Sequence, residues 1–324
     1  LPKKFLPLKR RRKEIPFSFV PEGAWFLPGL EKSPGKNQPG RCRGQKRQKR
    51  REAGAGQEGK DMLVVGEKLN SAIPAVREAI RGRDRAFVQE LARRQAEAGA
   101  AFLDVNTAQG NDEVEDMEWL VRTVQEAVDV PLCIDSVNPE AVKRALQVHR
   151  GRAMLNSISM EESRINGMIP LVKEYGCPVV ALTADDSGIP KTVADRIEIA
   201  GRLVELLKRE RINLEDVYFD PLVLPVAVNT GNAVIFFQSL VEIKKVFGVK
   251  TISGLSNVSH SMPKRKLLNR YFLAACMYCG MDAVIMDPLD KKLLSAVLAM
   301  EVLLDKDPFG RSYLKAFRGG ILEE

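Results

Sequence analysis

The chain has 324 residues and a formal net charge of +8, with 45% hydrophobic and 28% charged residues, a length for one large domain or two ordinary ones. No stretch approaches the roughly 18 uninterrupted apolar residues of a membrane span, and five cysteines in no framework spacing suit a reducing cytoplasm rather than a disulfide scaffold. The charge is uneven: residues 1–61 hold 17 Lys and Arg against 6 Asp and Glu, while residues 62–324 hold 33 against 36, so a nucleic-acid reading of the whole chain loses its main support.

Residues 1–61 contain KRRRK at 9–13, SPGKNQPGRCRGQKRQKRR at 33–51 and AGAGQEG at 53–59. They lack apolar periodicity and cannot bury enough surface to offset chain entropy, so a disordered basic extension is expected. No apolar core and cleavage site follow the basic start, so no secretory leader is expected either. The extension reads as a polybasic arm for nucleic acid or acidic surfaces, or as a tail with no selected role. The chain opens on Leu1, and Met62 falls where the globular pattern begins. Met62 is therefore the expected native start, with the extension as an upstream addition.

From Met62 onward, short apolar runs alternate with longer amphipathic ones. The strand-like runs are MLVVG (62–66), AFLDVN (101–106), PLCIDS (131–136), AMLNS (153–157), PVVALT (178–183), VYFDP (217–221), KTISG (250–254) and DAVIMD (282–287). Between them lie helical patterns such as RDRAFVQELARRQAEAG (83–99), which ends on a C-cap glycine. Parallel neighbours need a crossover helix, and short, nearly all-apolar strands are buried on both faces. Eight such units predict an α/β fold of the (β/α)8 barrel type over 62–324. An open doubly wound sheet would want a glycine-rich fingerprint after the first strand, where VVGEKLNSAIP offers one glycine.

In a barrel, function sits at the C-terminal strand ends. Those positions hold Glu67 and Asn70, Asp104 and Asn106, Asp135 and Ser136, Asn156 and Ser157, and Thr183 with Asp185 and Asp186. Asp220, Ser256, Asn257, Ser259 and Asp287 complete the set. Any one of them could be a turn former or helix cap; Asp287 before Pro288 reads as structural, and Ser136 and Ser157 as caps. Together they make a rim with few basic residues, suited to a neutral, donor-rich heterocycle more than to a bare phosphate. His149 and His260 lie on different units, and Cys276 and Cys279 fall within a helical pattern, so core cysteines and no metal site are expected.

MLVVGEKLN, ARRQAEAGAAFLDVN, MEWLV, LCIDS, RAMLNS, LTADDSGIPK, YFDPLVLP, GLSNVS and LNRYFLAACMYCGMDAVI resemble the pterin-binding family of barrels. Within it they resemble the methyltetrahydrofolate:corrinoid protein methyltransferases, from Met62 to about residue 318. The resemblance implies that Asp135, Asn156 and Asp220 hold the pterin and that Asn257 faces its N5. Glu67, Asn70, Asn106 and Ser256 at the strand ends, with His260, are the expected secondary residues of the site, and Arg270 is expected to orient loop residues. The resemblance implies reduced folate as substrate, cobalamin on a separate corrinoid protein, a homodimer and a place in one-carbon metabolism; the residues themselves set the expectation of a cytoplasmic place with no protein-bound metal, nucleic acid or membrane partner. The direction of transfer stays open. His260 stands where relatives carry Gln, which leaves either a proton shuttle or a tolerated replacement, and the acids of TADDSGIPK are expected to tune partner docking.

Two related readings remain. A dihydropteroate synthase would need basic residues for a pyrophosphate, yet strand eight ends VIMDPLD without Arg or His. A methionine synthase-type folate module would use the same rim.

Overall fold

The computed structural model describes residues 62–324. The predicted extension, residues 1–61, lies outside the described residues.

Strand β1 (Leu63–Asn70) leads into two helices, α1 (Pro74–Arg81) and α2 (Arg85–Glu97), where the sequence pattern predicts one. The extra helix is short, begins on Pro74, and buries Val76, Ala79 and Ile80. The break between the two falls at Arg83, in left-handed backbone at φ 54°, after which the Asp84 side chain accepts from Phe87 N and caps α2. The alternation then continues as β2 (Phe102–Asn106), α3 (Glu113–Gln125), β3 (Leu132–Asp135), α4 (Pro139–Val148), β4 (Met154–Met160) and α5 (Glu162–Tyr175). It ends with β5 (Val179–Asp185), α6 (Val193–Arg209), β6 (Val217–Asp220), α7 (Asn232–Phe247), β7 (Lys250–Thr251), α8 (Arg265–Tyr278), β8 (Ala283–Met286) and α9 (Lys291–Leu303). A last helix, α10 (Arg311–Arg318), has no counterpart in the predicted pattern.

The strands are parallel and ordered β7-β6-β5-β4-β3-β2-β1-β8. Backbone bonds from Asp282 N to Thr251 O (3.2 Å) and from Ile285 N to Ser253 O (2.9 Å) close the ring. The result is a (β/α)8 barrel. Strand β7 is shorter than the predicted 250–254 because the chain leaves the β6 ladder after Ile252 and coils at 255–259 into a 3-10 turn.

Strand side chains alternate between the ring interior and the helices. Val65, Cys133, Met154, Val180, Ile252 and Ala283 pack together inside, with Phe102 and Tyr218 against them. Two residues further along each strand, the same inward face reaches Glu67, Asp104, Asp135, Asn156, Asp220 and Gly254. The apolar layer thus carries a polar layer at the C-terminal end.

Candidate active site

The polar layer is linked side chain to side chain. Asn106 Nδ2 donates to Asp135 Oδ2 at 2.9 Å, and Asn156 Nδ2 to Asp104 Oδ1 at 3.4 Å. Across the ring, Ser256 Oγ donates to Glu67 Oε1 at 2.7 Å. Asp220 accepts from the backbone N–H of Leu222 at 2.7 Å and from that of Gly254. A Cβ added at Gly254 would meet Asn257 Nδ2 at 3.1 Å, so the Asn257 carboxamide lies over this glycine, close to where Asp220 is held.

The turn that presents Asn257 follows from its sequence. In LSNVS, Leu255 and Val258 are three apart and both enter the core beneath, so Ser256 and Asn257 point away from it. Val258 O accepts from Val226 N at 3.0 Å, and Arg265 on α8 donates to Ser256 O (2.8 Å) and Ser259 Oγ (3.2 Å). Asn257 itself is exposed.

Four carboxyls crowd this end of the ring, and burial raises each of them. Asp104, 2% exposed, is pushed well above the usual range by burial and then by Asp135. Asp135 is raised by burial, opposed by the Asn106 hydrogen bond and by Arg164. Glu67 is raised by burial, opposed by Ser256. Asp220 is pushed up to about 6 by burial, against the backbone donors of Leu222 and Gly254 and the Arg196 guanidinium.

Of the expected site residues, Glu67, Asn106, Asp135, Asn156, Asp220, Ser256 and Asn257 gather at this rim. Asn70 stands at the end of β1, where its Oδ1 accepts from Ala72 N at 2.8 Å and shapes the turn. His260 is exposed at the end of the Asn257 turn. Arg270 is elsewhere: it lines a cleft of about 370 Å³ with Lys292, Ser295, Tyr313, Phe317 and Glu323, between α8, α9 and α10. Its position in the second turn of α8 faces it to the neighbouring helices rather than to the loops it was expected to orient.

The expected caps also move. Asn138, not Ser136, caps α4, while Ser136 Oγ donates to Glu113 Oε1 at 2.6 Å; Ser157 caps no helix. Asp287 pairs with Lys68 at 3.2 Å and accepts from Leu289 N. Asp185 is taken by Arg202 at 2.8 Å, and Asp186 accepts from Glu162 N at the start of α5. His149 Nε2 accepts from Leu132 N, at the opposite end of β3. Cys276 is fully buried and Cys279 half-buried. Among the described residues no group of three or more His, Cys, Asp or Glu is placed to hold a metal ion, and no helix is long and apolar enough to cross a membrane.

Arg196 escapes a reading of strand ends. It is fully buried on α6, its Nε donates to Pro190 O at 3.2 Å, and it lies near enough to Asp220 to lower that carboxyl. A signal exists in the sequence: Arg196 falls on the same helical stripe as Ile199, Ala200 and Leu203, a charge where the pattern wants an apolar residue. A second cleft, of about 470 Å³, lies by Arg152, Lys173, Arg211, Asn213 and Asp216, at the end of the ring opposite the rim.

Residues 75–287 match the family of pterin binding enzymes. The chain is 36% identical over 263 residues to the Methylcorrinoid:tetrahydrofolate methyltransferase of Eubacterium limosum, which covers 80% of this chain and 97% of that protein. It is 30% identical over 239 residues to the methionine synthase of Mycobacterium tuberculosis, covering 69% of this chain and 20% of that much longer protein. Among solved structures, the dihydropteroate synthase of Xanthomonas albilineans in complex with 7,8-dihydropteroate superposes with a TM-score of 0.57 at 18% identity, over 76% of this chain and 92% of that one. The Yersinia pestis enzyme does so with a TM-score of 0.57 at 17% identity, over 76% and 95%. These two share the fold. With a matched family model over most of its barrel and a full-length relative at this identity, the chain belongs to the pterin-binding enzyme family.

Proposed function

We propose that the protein is a methyltransferase that moves a methyl group between N5 of methyltetrahydrofolate and the cobalt of a corrinoid protein. The observation that carries this reading is the meeting of buried carboxylates and carboxamides with the Asn257 turn at one end of the ring. The similarity to the Eubacterium limosum enzyme along 97% of its length supports it.

A pterin offers a ring N–H and an exocyclic amino group side by side. An ionised carboxylate accepts both, and Asn donates and accepts on adjacent ring atoms. Asp135, Asn156 and Asp220 take these parts, with Asn106 orienting Asp135 through its 2.9 Å bond. A ring of the wrong pattern leaves these groups unpaired, at about 1–3 kcal/mol each. Asn257 points its amide at N5, where electrons collect as the N–CH3 bond breaks, and so stabilises charge that exists only in the transition state. Cobalt(I) supplies the nucleophile; the barrel binds and aligns the folate.

The same site serves either direction of transfer. The exposed stripe Leu267, Tyr271 and Tyr278 on α8 supports a homodimer, which light scattering of Tyr271→Glu against the parent tests. A cytoplasmic place fits the substrate and the free cysteines. The decisive assay mixes the protein, methyltetrahydrofolate and cob(I)alamin and follows the absorbance of methylcobalamin; no methylcobalamin above the protein-free rate overturns the function. A methionine synthase-type module is the second reading, favoured by the 30% match, and would need homocysteine as final acceptor on further domains.

A further inference from the structure

When the methyl group leaves, N5 keeps the electron pair of the broken bond and must gain a proton. Asn257 has none to give at ordinary pH, so the proton has another source. The residue before it, Ser256, is hydrogen-bonded to Glu67 at 2.7 Å, joining the end of β1 to the turn after β7. Glu67 is half-buried on the inward face of its strand and makes no salt bridge with any described residue. The cations nearest it are engaged: Lys68 pairs with Asp287 at 3.2 Å, and Arg265 holds Ser256 O and Ser259 Oγ. A carboxyl in this position is free to change its proton without breaking an ion pair.

We propose that Glu67, acting through the Ser256 hydroxyl, supplies the proton that N5 takes up as the methyl group leaves, and receives it back in the reverse direction. This rests on the function proposed above. In the forward step the N5–CH3 bond breaks, its pair stays on N5, and the methyl group passes to the cobalt lone pair. The Ser256 O–H proton moves to N5 while the Glu67 carboxyl proton moves to Ser256 Oγ. The products are N5–H, an intact serine and the Glu67 carboxylate, whose hydrogen bond from Ser256 is the one seen here. No other reactant is needed.

The surroundings suit the task. Burial and then Asp287 at the end of β8 raise the Glu67 carboxyl, while Ser256, Lys68 on β1 and Arg265 on α8 lower it, and the balance is upward; Glu67 in turn raises Asp104 on β2. An acid raised by burial keeps its proton to higher pH than a free carboxyl, so it has one to give.

The test measures methyl transfer from methyltetrahydrofolate to cob(I)alamin between pH 5 and 9, with folate affinity read by calorimetry. The full chain is compared with Glu67→Gln, Glu67→Asp, Ser256→Ala and the Glu67→Gln/Ser256→Ala double variant. The wild-type rate is expected to fall as pH rises through the Glu67 titration. Glu67→Gln should be roughly 10²-fold slower and lack that limb, with folate affinity changed by no more than about threefold. Glu67→Asp should regain the limb in part, and the double variant should be no slower than the slower single one, as for two members of one path. A Glu67→Gln enzyme that keeps the wild-type limb, additive losses in the double variant, or a loss confined to folate affinity overturns the proposal alone. A wild-type protein that forms no methylcobalamin overturns the function and the proposal together.

Discussion

Asp220 sets stability against binding. Its carboxyl, pushed up to about 6 by burial, ordinarily titrates near 3.8. Between about pH 4 and 6 the folded chain holds a proton that the unfolded chain has released, so stability falls as pH rises through that window and is level above it. Asp220→Asn removes the buried charge and is expected to raise the melting temperature of the ligand-free protein at pH 7.5, a gain on the order of 1–3 kcal/mol. The same substitution should weaken folate binding at least about tenfold if the carboxylate accepts both pterin donors as proposed. Melts with and without folate separate the two effects. For the parent protein, folate affinity should drop about tenfold per pH unit below about 6, which a calorimetric pH series checks. Asn257→Ala is the contrasting case: turnover should fall roughly 10²-fold with folate affinity nearly unchanged, and equal losses in both would defeat its assigned part.

At the scale of the element, the turn 255–259 decides whether that carboxamide is aimed. Two buried apolar residues hold it from below and Arg265 from the side. Gly254 leaves room for Asn257 Nδ2, and its φ of −72° is open to any residue. Gly254→Ala should therefore leave the melting temperature within about 2 °C while displacing the carboxamide by a few tenths of an ångström and lowering turnover several-fold. A mutant with unchanged turnover would show that the contact over Gly254 does not matter. The polar residues of this turn are legible as a string, GLSNVS, but not their partners. Glu67 is 189 residues from Ser256, and no local pattern announces that bond. Asp104 reads as one more strand-end acid until the fold buries it, 2% exposed, against the Asn156 carboxamide.

Residues 62–324 are held by a ring whose thinnest seam is between β7 and β8, joined by the backbone bonds at Thr251, Ser253 and Ile285. The eight strands of the described residues close the ring among themselves, so a chain begun at Met62 should fold and transfer methyl at the full-length rate; loss of activity on removing residues 1–61 would assign that extension a part in function. By itself the sequence determined the eight alternating units, the polar strand ends and the absence of a phosphate-binding glycine run, because periodicity and strand-end composition are local properties. It missed α1 and α10, short helices whose apolar stripe is too brief to stand out, and it put Arg270 near the loops when helix packing turns it toward α9 and α10. Only the tertiary structure decided which acids share a pocket, which are spent on ion pairs, and which are lifted by burial. Those outcomes depend on distances across the ring between residues far apart in the chain, and desolvation is a property of the closed barrel, not of any segment of it.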